Sequence, residues 1–168
     1  MHLRPATADD AQAIAEIYNH AVANTTASFD TEPKSAGDRT AWLIGRAPRH
    51  PVIVAESDGA VIGWGALSPY SERPAYLGTV EISVYVDPVW HRQGTGRAIC
   101  ARLLELAYER GLHAVLARIC TENTGSIEMV RALGFTDAGT MHEVGRKFGR
   151  WLDVVTWEYR VPSAPDVS

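Results

Sequence analysis

The sequence predicts a single α+β domain in which helices flank a mixed sheet. A chain of 168 residues is long enough for one domain with a substantial core. Stretches with helical periodicity and short runs of β-branched and aromatic residues follow one another along the chain. Because no repeat or long linker divides it, we expect one domain over residues 1–161 and a frayed tail over residues 162–168.

The composition disfavours several classes of protein. The chain is 46% hydrophobic and 21% charged with a net charge of −4, which gives no reason to expect a nucleic-acid partner. It lacks the run of about 20 apolar residues that a membrane span needs, and it lacks a signal-peptide core, so we expect a cytoplasmic protein. Cys100 and Cys120 suit small core residues better than a disulfide framework or a metal site, and we predict no bound metal.

The N-terminal segment predicts one helix after a short extended run at residues 3–6. Thr7 offers an N-cap hydroxyl, and Asp10 supplies a carboxylate three residues later. Apolar residues then recur at helical spacing, at Ala11, Ile14, Ala15, Tyr18 and Val22. We expect this helix to pack one face on the core and to end near Asn24.

A polar loop at residues 24–33 separates this helix from a second one. The loop contains one isolated aromatic residue, Phe29, and loops of this kind often contribute to binding surfaces. A solvated linker with Phe29 packed beneath it is an equally good interpretation. Residues 36–46, with the apolar Trp42 and Leu43, predict the second helix.

Three strands follow the second helix. Residues 51–56 and 60–67 are rich in apolar residues, and the intervening residues 57–59 read Ser-Asp-Gly, which is a hairpin signal. Residues 79–86 are β-branched and aromatic with one acidic residue, Glu81. We predict that this stretch is the central strand.

The second half of the chain predicts two helices and three strands. An apolar stripe that begins near Ile99 indicates a helix closed by Gly111. The remaining predicted elements are a strand (114–120), a helix (124–133) and two strands (135–141 and 151–161).

A glycine-rich loop joins the central strand to the helix that follows it. Gly94 and Gly96 carry no Cβ atom at a helix N-terminus, where free N–H groups can bind phosphate. A Walker loop would end in Gly-Lys-Ser/Thr, but Arg97 follows Gly96, and a dinucleotide fingerprint would need glycine where Ile99 stands. Taken alone, the pattern is also consistent with an ordinary glycine turn.

One protein family matches the loop and its context. The segment His91-Arg92-Gln93-Gly94-Thr95-Gly96 resembles the acyl-CoA pyrophosphate loop of the GNAT superfamily of N-acetyltransferases, with pattern Gln/Arg-x-x-Gly-x-Gly/Ala and a departure at His91. Residues 24–26, 79–86 and 144–153 resemble the phosphinothricin and methionine sulfone or sulfoximine N-acetyltransferases. The resemblance covers nearly the full length and implies the GNAT fold, a splayed, mostly antiparallel central sheet flanked by helices.

The resemblance implies an acetyl-CoA site in an opening beside the central strand. The residues implied for the pantetheine arm are Val84, Tyr85 and Val86. Those implied for the pyrophosphate are Arg92, Gln93, Gly94, Thr95, Gly96 and Arg97. Asn123 and Ser126, at the start of a later helix, can also reach the cofactor, although Asn123 is equally suited to a plain N-cap.

Glu81 is the candidate general base. An amine must lose a proton before or during attack on a thioester, and a positioned carboxylate can accept that proton. Glu81 and Ser83 point to the same sheet face, so both are candidate substrate contacts. The alternative is that Glu81 only pairs with an arginine such as Arg73.

Two further positions depart from the pattern of the family. Val130 stands where relatives have a tyrosine or histidine that protonates the leaving thiolate, so we expect that thiolate to leave unassisted or to take a proton from water. Relatives also have two arginines before the central strand that suit a substrate carboxylate. Ser71 occupies one of these positions here, and Arg73 is the arginine that remains as a candidate substrate contact.

Phe29 and Lys147 complete the candidate substrate contacts. Residues 147–151 predict a mobile substrate lid, a dimer contact or a plain loop before the last strand. The expected function is acetyl-CoA-dependent N-acetylation of the α-amine of a small amino acid or amino-acid analogue, by direct transfer in a ternary complex. A polyamine or aminoglycoside acceptor and a non-catalytic acyl-CoA-binding module are the alternatives, and the resemblance also implies a homodimer.

Overall fold

A seven-stranded sheet with helices on both faces forms the protein. The structure is a computed structural model and describes residues 1–163, so the predicted tail lies, from residue 164 onwards, outside the described residues. The strands are β1 (His2–Pro5), β2 (Val52–Ser57), β3 (Ala60–Pro69), β4 (Thr79–Val86), β5 (Ala114–Cys120), β6 (Thr136–Lys147) and β7 (Arg150–Arg160). The helices are α1 (Ala11–Asn24), α2 (Ala36–Ile44), α3 (Thr95–Glu109) and α4 (Thr124–Ala132), with short 3-10 turns at Ala8–Asp10, Pro74–Tyr76 and Pro88–Trp90.

The sheet is antiparallel except at its centre. Its strand order is β1-β2-β3-β4-β5-β7-β6, and within residues 1–163 the one parallel pair is β4 with β5. These two strands pair only where Thr79–Glu81 lies beside Ala114–Leu116, whereas β4 stays paired with β3 as far as Val86. The two central strands therefore diverge after Glu81, and the predicted splayed, mostly antiparallel sheet is confirmed.

Two hydrophobic clusters hold the helices against the sheet. The larger cluster surrounds α3, whose Ile99 and Leu103 are fully buried. The close packing of α3 on β3 requires glycine at position 65, because a Cβ atom there would lie 2.6 Å from Ile99 Cγ2 and 2.8 Å from Leu103 Cδ1. The smaller cluster surrounds α1, where the Tyr18 ring packs edge-on against Tyr85 of β4 with ring centroids 5.0 Å apart.

The predicted elements are present, and their boundaries differ mainly in the C-terminal hairpin. The predicted bounds of β4 and β5 agree with the structure. The strand predicted at residues 135–141 is longer in the structure and ends at Lys147. Irregularities in its register with β7 let it remain paired across a polar stretch in which apolar and polar residues do not alternate. Asp153 of β7 supports this irregular stretch, since its carboxylate accepts hydrogen bonds from the Glu143 N–H at 2.8 Å and from His142 Nδ1 at 3.0 Å.

Within residues 1–163, no helix combines the length and apolarity needed to cross a membrane. The same residues contain no cluster of three or more His, Cys, Asp or Glu side chains arranged to hold a metal ion. Both cysteines, Cys100 and Cys120, are buried free thiols, as predicted for core residues.

Candidate active site

The divergence of β4 and β5 opens two connected cavities. The first has a volume of about 840 Å³ and lies beside the glycine loop; we call it the loop groove, with Arg92, Gly94 and Arg97 in its wall. The second has a volume of about 680 Å³ and contains Glu81; we call it the Glu81 cavity. Both cavities are lined by Val84 and Tyr85, so they meet along the unpaired edge of β4. Since β4 has no strand neighbour on that side after Glu81, its backbone edge can pair with an extended ligand there.

Local contacts shape the glycine loop. The carboxylate of Asp87 accepts a hydrogen bond from the Val89 N–H at 2.9 Å and so begins the turn. Nε2 of His91 donates to the Val86 carbonyl at 2.8 Å, which ties the loop to the end of β4 and fixes the tautomer with a proton on Nε2. Arg92 and Gly94 both adopt positive φ, 60° and 84°, and α3 begins directly afterwards. The free N–H groups of the first helical turn lie at this point, as in an anion-binding helix start.

Nine of the eleven residues predicted for the cofactor line the loop groove. They are Val84, Tyr85, Val86, Arg92, Gly94, Gly96, Arg97, Asn123 and Ser126. The side chains of the other two point elsewhere, because Gln93 Nε2 donates to the Val89 carbonyl at 3.0 Å and Thr95 is buried. Asn123 also caps α4, since its Oδ1 accepts a hydrogen bond from the Ser126 N–H at 3.4 Å.

Glu81 forms an ion pair with Arg118 rather than with Arg73. Its Oε2 atom accepts hydrogen bonds from Arg118 Nη2 at 2.5 Å and from Nε at 3.1 Å. Register explains the contact, because Glu81 lies opposite Leu116 of β5 and Arg118 is two residues further along the same face. The hydrogen bond with Glu81 is the main reason that the pKa of Arg118 is raised above its ordinary value.

The other predicted substrate residues divide into two groups. Ser83 and Phe29 line the Glu81 cavity together with Glu81 itself. Arg73 is exposed beside the turn Pro74–Tyr76 and lies in the wall of neither cavity, so its place does not support a substrate contact. Lys147 is also absent from both walls, and its side chain has a structural contact instead.

Lys147 anchors the loop after α1. The residue is only 5% exposed, and its Nζ atom donates to the Thr25 carbonyl at 2.7 Å and to the Ser28 carbonyl at 2.6 Å. Burial lowers the pKa of this ammonium group. The ring of Phe29 packs on Gly145 of β6, the strand that also carries Lys147, and a Cβ atom at position 145 would lie 2.1 Å from the ring. The segment predicted at residues 147–151 is thus the end of β6, a two-residue turn and the start of β7, and Lys147 holds a wall of the Glu81 cavity in place.

Other side chains of the Glu81 cavity limit its chemistry. Val130 is buried in its wall and has no proton to donate to a leaving group. Cys100 also lines the cavity, and burial raises the pKa of its thiol to about 12, which keeps it protonated and unreactive. Burial likewise raises the pKa of the Tyr85 phenol, so that this side chain keeps its proton near neutral pH. The cavity wall contains two carboxylates, Glu81 and Asp30, and Asp30 already accepts a hydrogen bond from the Tyr18 hydroxyl, so Glu81 is the better candidate to accept a proton here.

Comparison with known proteins identifies the family. The model of the acetyltransferase (GNAT) family matches residues 14–135, which is most of the chain. The chain belongs to the GNAT family of acetyltransferases. It is 39% identical over 155 residues to the L-amino acid N-acyltransferase MnaT of Escherichia coli, covering 92% of this chain and 90% of that protein. It is 38% identical over 169 residues to an L-methionine sulfoximine/L-methionine sulfone acetyltransferase of Salmonella typhimurium, covering 99% of each.

A solved structure is similar over the whole GNAT domain. It is a GNAT superfamily phosphinothricin acetyltransferase from Sinorhizobium meliloti in complex with acetyl-CoA, with a TM-score of 0.93 and 32% identity. The match covers 99% of this chain and 91% of that one. The GNAT acetyltransferase is thus recognised by fold as well as by sequence, and the predicted family and enzyme class are confirmed.

Sequence reasoning missed Arg118 as a residue of this site. No local motif marks it, because its position beside Glu81 depends on how β5 pairs with β4. The available signal was one cationic residue in an otherwise apolar strand, Ala114-Val115-Leu116-Ala117-Arg118-Ile119-Cys120. A lone cationic residue on a strand next to the candidate base is a natural partner for that base.

Proposed function

We propose that the protein transfers an acetyl group from acetyl-CoA to the α-amine of a small amino acid or an analogue of the phosphinothricin, methionine sulfone or methionine sulfoximine type. The observation that carries the proposal is the position of Glu81 in a cavity that meets the loop groove along β4. This arrangement lets an acceptor and an acyl donor enter from two sides and react directly. The relatives of E. coli and Salmonella, whose names refer to amino acids and methionine analogues, support the acceptor class.

The loop groove fits the phosphate end of acetyl-CoA. The first turn of α3 offers N–H groups, and Arg92 and Arg97 add two exposed cationic side chains beside them. The free edge of β4 at Val84–Val86 suits the extended, amide-containing pantetheine arm. When bound, acetyl-CoA supplies the acetyl group as a thioester. The acetyl-CoA complex of the Sinorhizobium relative supports the assignment.

Glu81 moves the proton in the proposed reaction. The acceptor enters as an ammonium ion, and the Glu81 carboxylate takes one of its protons. The nitrogen lone pair then forms the new bond to the acetyl carbonyl carbon while the carbon–sulfur bond breaks. The nitrogen releases its second proton to water, so the amide and the thiolate of coenzyme A are the products, and Glu81 returns its proton to solvent after the transfer. Since Val130 offers no proton, water protonates the thiolate, which is a tolerable leaving group because a thiol has a pKa of about 8.5.

Release of free coenzyme A thiol tests the proposal. Purified protein would be given acetyl-CoA with methionine sulfone, methionine sulfoximine, phosphinothricin, ordinary amino acids, spermidine or an aminoglycoside. Thiol release that depends on the amino-acid analogues is the expected result. Release with spermidine or the aminoglycoside alone would contradict the acceptor class, and acetyl-CoA binding without release to any acceptor would favour a non-catalytic module.

We also propose a homodimer formed through the C-terminal hairpin. Four large apolar side chains of this hairpin are about half exposed: Met141, Val144, Phe148 and Trp151. Clusters of this kind on a surface are typical of protein interfaces. Light scattering after size exclusion should give twice the monomer mass, and Trp151→Glu should return the monomer.

Because the reaction consumes acetyl-CoA and both cysteines are free thiols, we further expect a cytoplasmic location, which fractionation of cells would test.

A further inference from the structure

Arg118 is unusual among the residues around Glu81. Of the described residues that line the Glu81 cavity, it is the only one with a lysine, arginine or histidine side chain. The cavity also contains two carboxylates, Glu81 and Asp30, and Asp30 already accepts a hydrogen bond from the Tyr18 hydroxyl and lies 3.7 Å from Lys34. An anionic group that enters this cavity therefore meets one cationic partner in its wall.

The guanidinium of Arg118 retains donors for such a group. It contacts Glu81 through Nε and Nη2, and both bonds go to the same oxygen, Oε2. Among the described residues, Nη1 has no hydrogen-bond acceptor, and the side chain is 50% exposed. A guanidinium can present two parallel N–H groups to a carboxylate, which is the geometry that an α-carboxylate needs.

We propose that Arg118 binds the α-carboxylate of the acceptor and that the acceptor replaces the ion pair between Glu81 and Arg118 when it enters. This inference rests on the proposed function, since it assigns a residue to the amino-acid acceptor. The amino-acid carboxylate pairs with Arg118, and the ammonium group, one carbon away, is left beside Glu81. One ion pair within the protein is thereby exchanged for two between protein and ligand, and Glu81 becomes free to take the ammonium proton.

The exchange also explains how the cavity would select amino acids over simple amines. A polyamine can pair with Glu81, but it offers no carboxylate to Arg118, so the ion pair of Arg118 is lost without replacement. An amino acid leaves neither charge unpaired. The same cavity therefore disfavours acceptors that lack a carboxylate, although Ser71 occupies one of the positions where relatives have an arginine.

A pair of matched acceptors tests the role of Arg118. The acceptors are L-methionine sulfone and L-methionine sulfone amide, which differ in the charge of the carboxyl group. In Arg118→Gln, we expect the preference for the free acid, measured as the ratio of kcat/KM values, to fall about 10- to 100-fold, as is typical for loss of a charged hydrogen bond. Arg118→Lys keeps the charge but lacks the two parallel N–H groups of a guanidinium. Its acid-to-amide ratio should therefore lie between the ratios of the wild type and of Arg118→Gln. Arg102→Gln, which changes a surface arginine of α3 outside both cavities, is the control and should keep the wild-type ratio.

Calorimetric titration of both acceptors without acetyl-CoA supplies a second readout. The wild type should bind the free acid more tightly than the amide, and Arg118→Gln should bind them about equally. An unchanged acid-to-amide ratio in Arg118→Gln, or loss of the ratio in Arg73→Gln instead, would overturn the inference. If the wild type released no thiol with amino acids, the proposed reaction would fail by itself. The titration would then decide the role of Arg118, since binding of neither acceptor would refute it and acid-specific binding that depends on Arg118 would support it.

Discussion

Replacement of Lys147 by methionine distinguishes two roles for this residue. Sequence patterns suggest a substrate contact, whereas the structure shows a buried ammonium that donates to the carbonyls of Thr25 and Ser28 at 2.7 and 2.6 Å. Hydrogen bonds to a charged group contribute about 1.5–3 kcal/mol each, and the desolvation of the ammonium offsets part of that gain. Methionine keeps most of the volume but neither bond, so we expect Lys147→Met to reduce the free energy of unfolding by about 2–3 kcal/mol.

Thermal unfolding measures the loss of stability in Lys147→Met, and acceptor kinetics measure its effect on the Glu81 cavity. For a chain of this size, 1 kcal/mol corresponds to about 2–4 °C, so the Tm should fall by about 4–12 °C. The loop that Lys147 anchors contributes Ser28 and Phe29 to the Glu81 cavity, so the KM for the acceptor should rise in parallel. Lys34→Met is the matched control, because that lysine is partly exposed 3.7 Å from Asp30, and such pairs contribute at most about 1 kcal/mol.

The opposite pattern would refute this reasoning. Suppose that Lys147→Met changed the Tm no more than Lys34→Met does but lowered kcat/KM for the acceptor. The ammonium would then act on the substrate rather than on the loop. The hydrogen bonds to Thr25 and Ser28 would then contribute little to folding. The prediction from sequence would be restored and the structural role withdrawn.

Three further predictions concern the base, the packing of α3 and the acid stability of the fold. Glu81→Gln should bind acetyl-CoA normally and lower turnover by about 100-fold or more, and unchanged turnover would remove Glu81 from the mechanism. Gly65→Ala should destabilise the protein by about 1–3 kcal/mol in urea unfolding, because its Cβ would meet Ile99 and Leu103; full stability would show that α3 can shift. Hydrogen bonds from the Arg4 guanidinium lower the pKa of Asp10 below its ordinary 3.8, so its stabilising contribution is complete above that pH and is lost as the pH falls below it. Asp10→Asn should therefore lower the Tm at pH 7 and flatten its decline in acid, and an unchanged acid profile would contradict the assignment.

Local patterns predicted most of the fold because most elements carry their own signals. The bounds of β4 and β5 follow from uninterrupted β-branched runs between turn residues, and α3 follows from its apolar stripe and the glycine that closes it. The length of β6 could not be predicted in this way. Its residues are mostly exposed and do not alternate, and its course depends on irregular pairing with β7 and on the support from Asp153.

The site likewise contains residues that local sequence predicts and residues that only the folded structure reveals. The glycine loop and Glu81 are recognisable because their chemistry depends on residues that are close in sequence. Arg118 and Lys147 are separated by 37 and by about 120 residues from the groups they contact, so their roles depend on strand register and on tertiary packing. A lysine next to aromatic and glycine residues suggests a mobile contact in the sequence, but only the folded chain shows the two carbonyls that bind it.

The divergence of β4 and β5 accounts for both halves of the site. Strand pairing ends at Glu81 and Leu116, so the backbone edge of β4 becomes available to an extended ligand from that point. Arg118 lies on the other side of the same opening, and β5 holds it there because its backbone remains paired with Thr156 of β7. Had β4 and β5 stayed paired along their length, the β4 edge would be covered by a strand. The end of pairing thus opens both cavities and sets the ion pair of Glu81 and Arg118 in the Glu81 cavity, where an acceptor can compete for both charges.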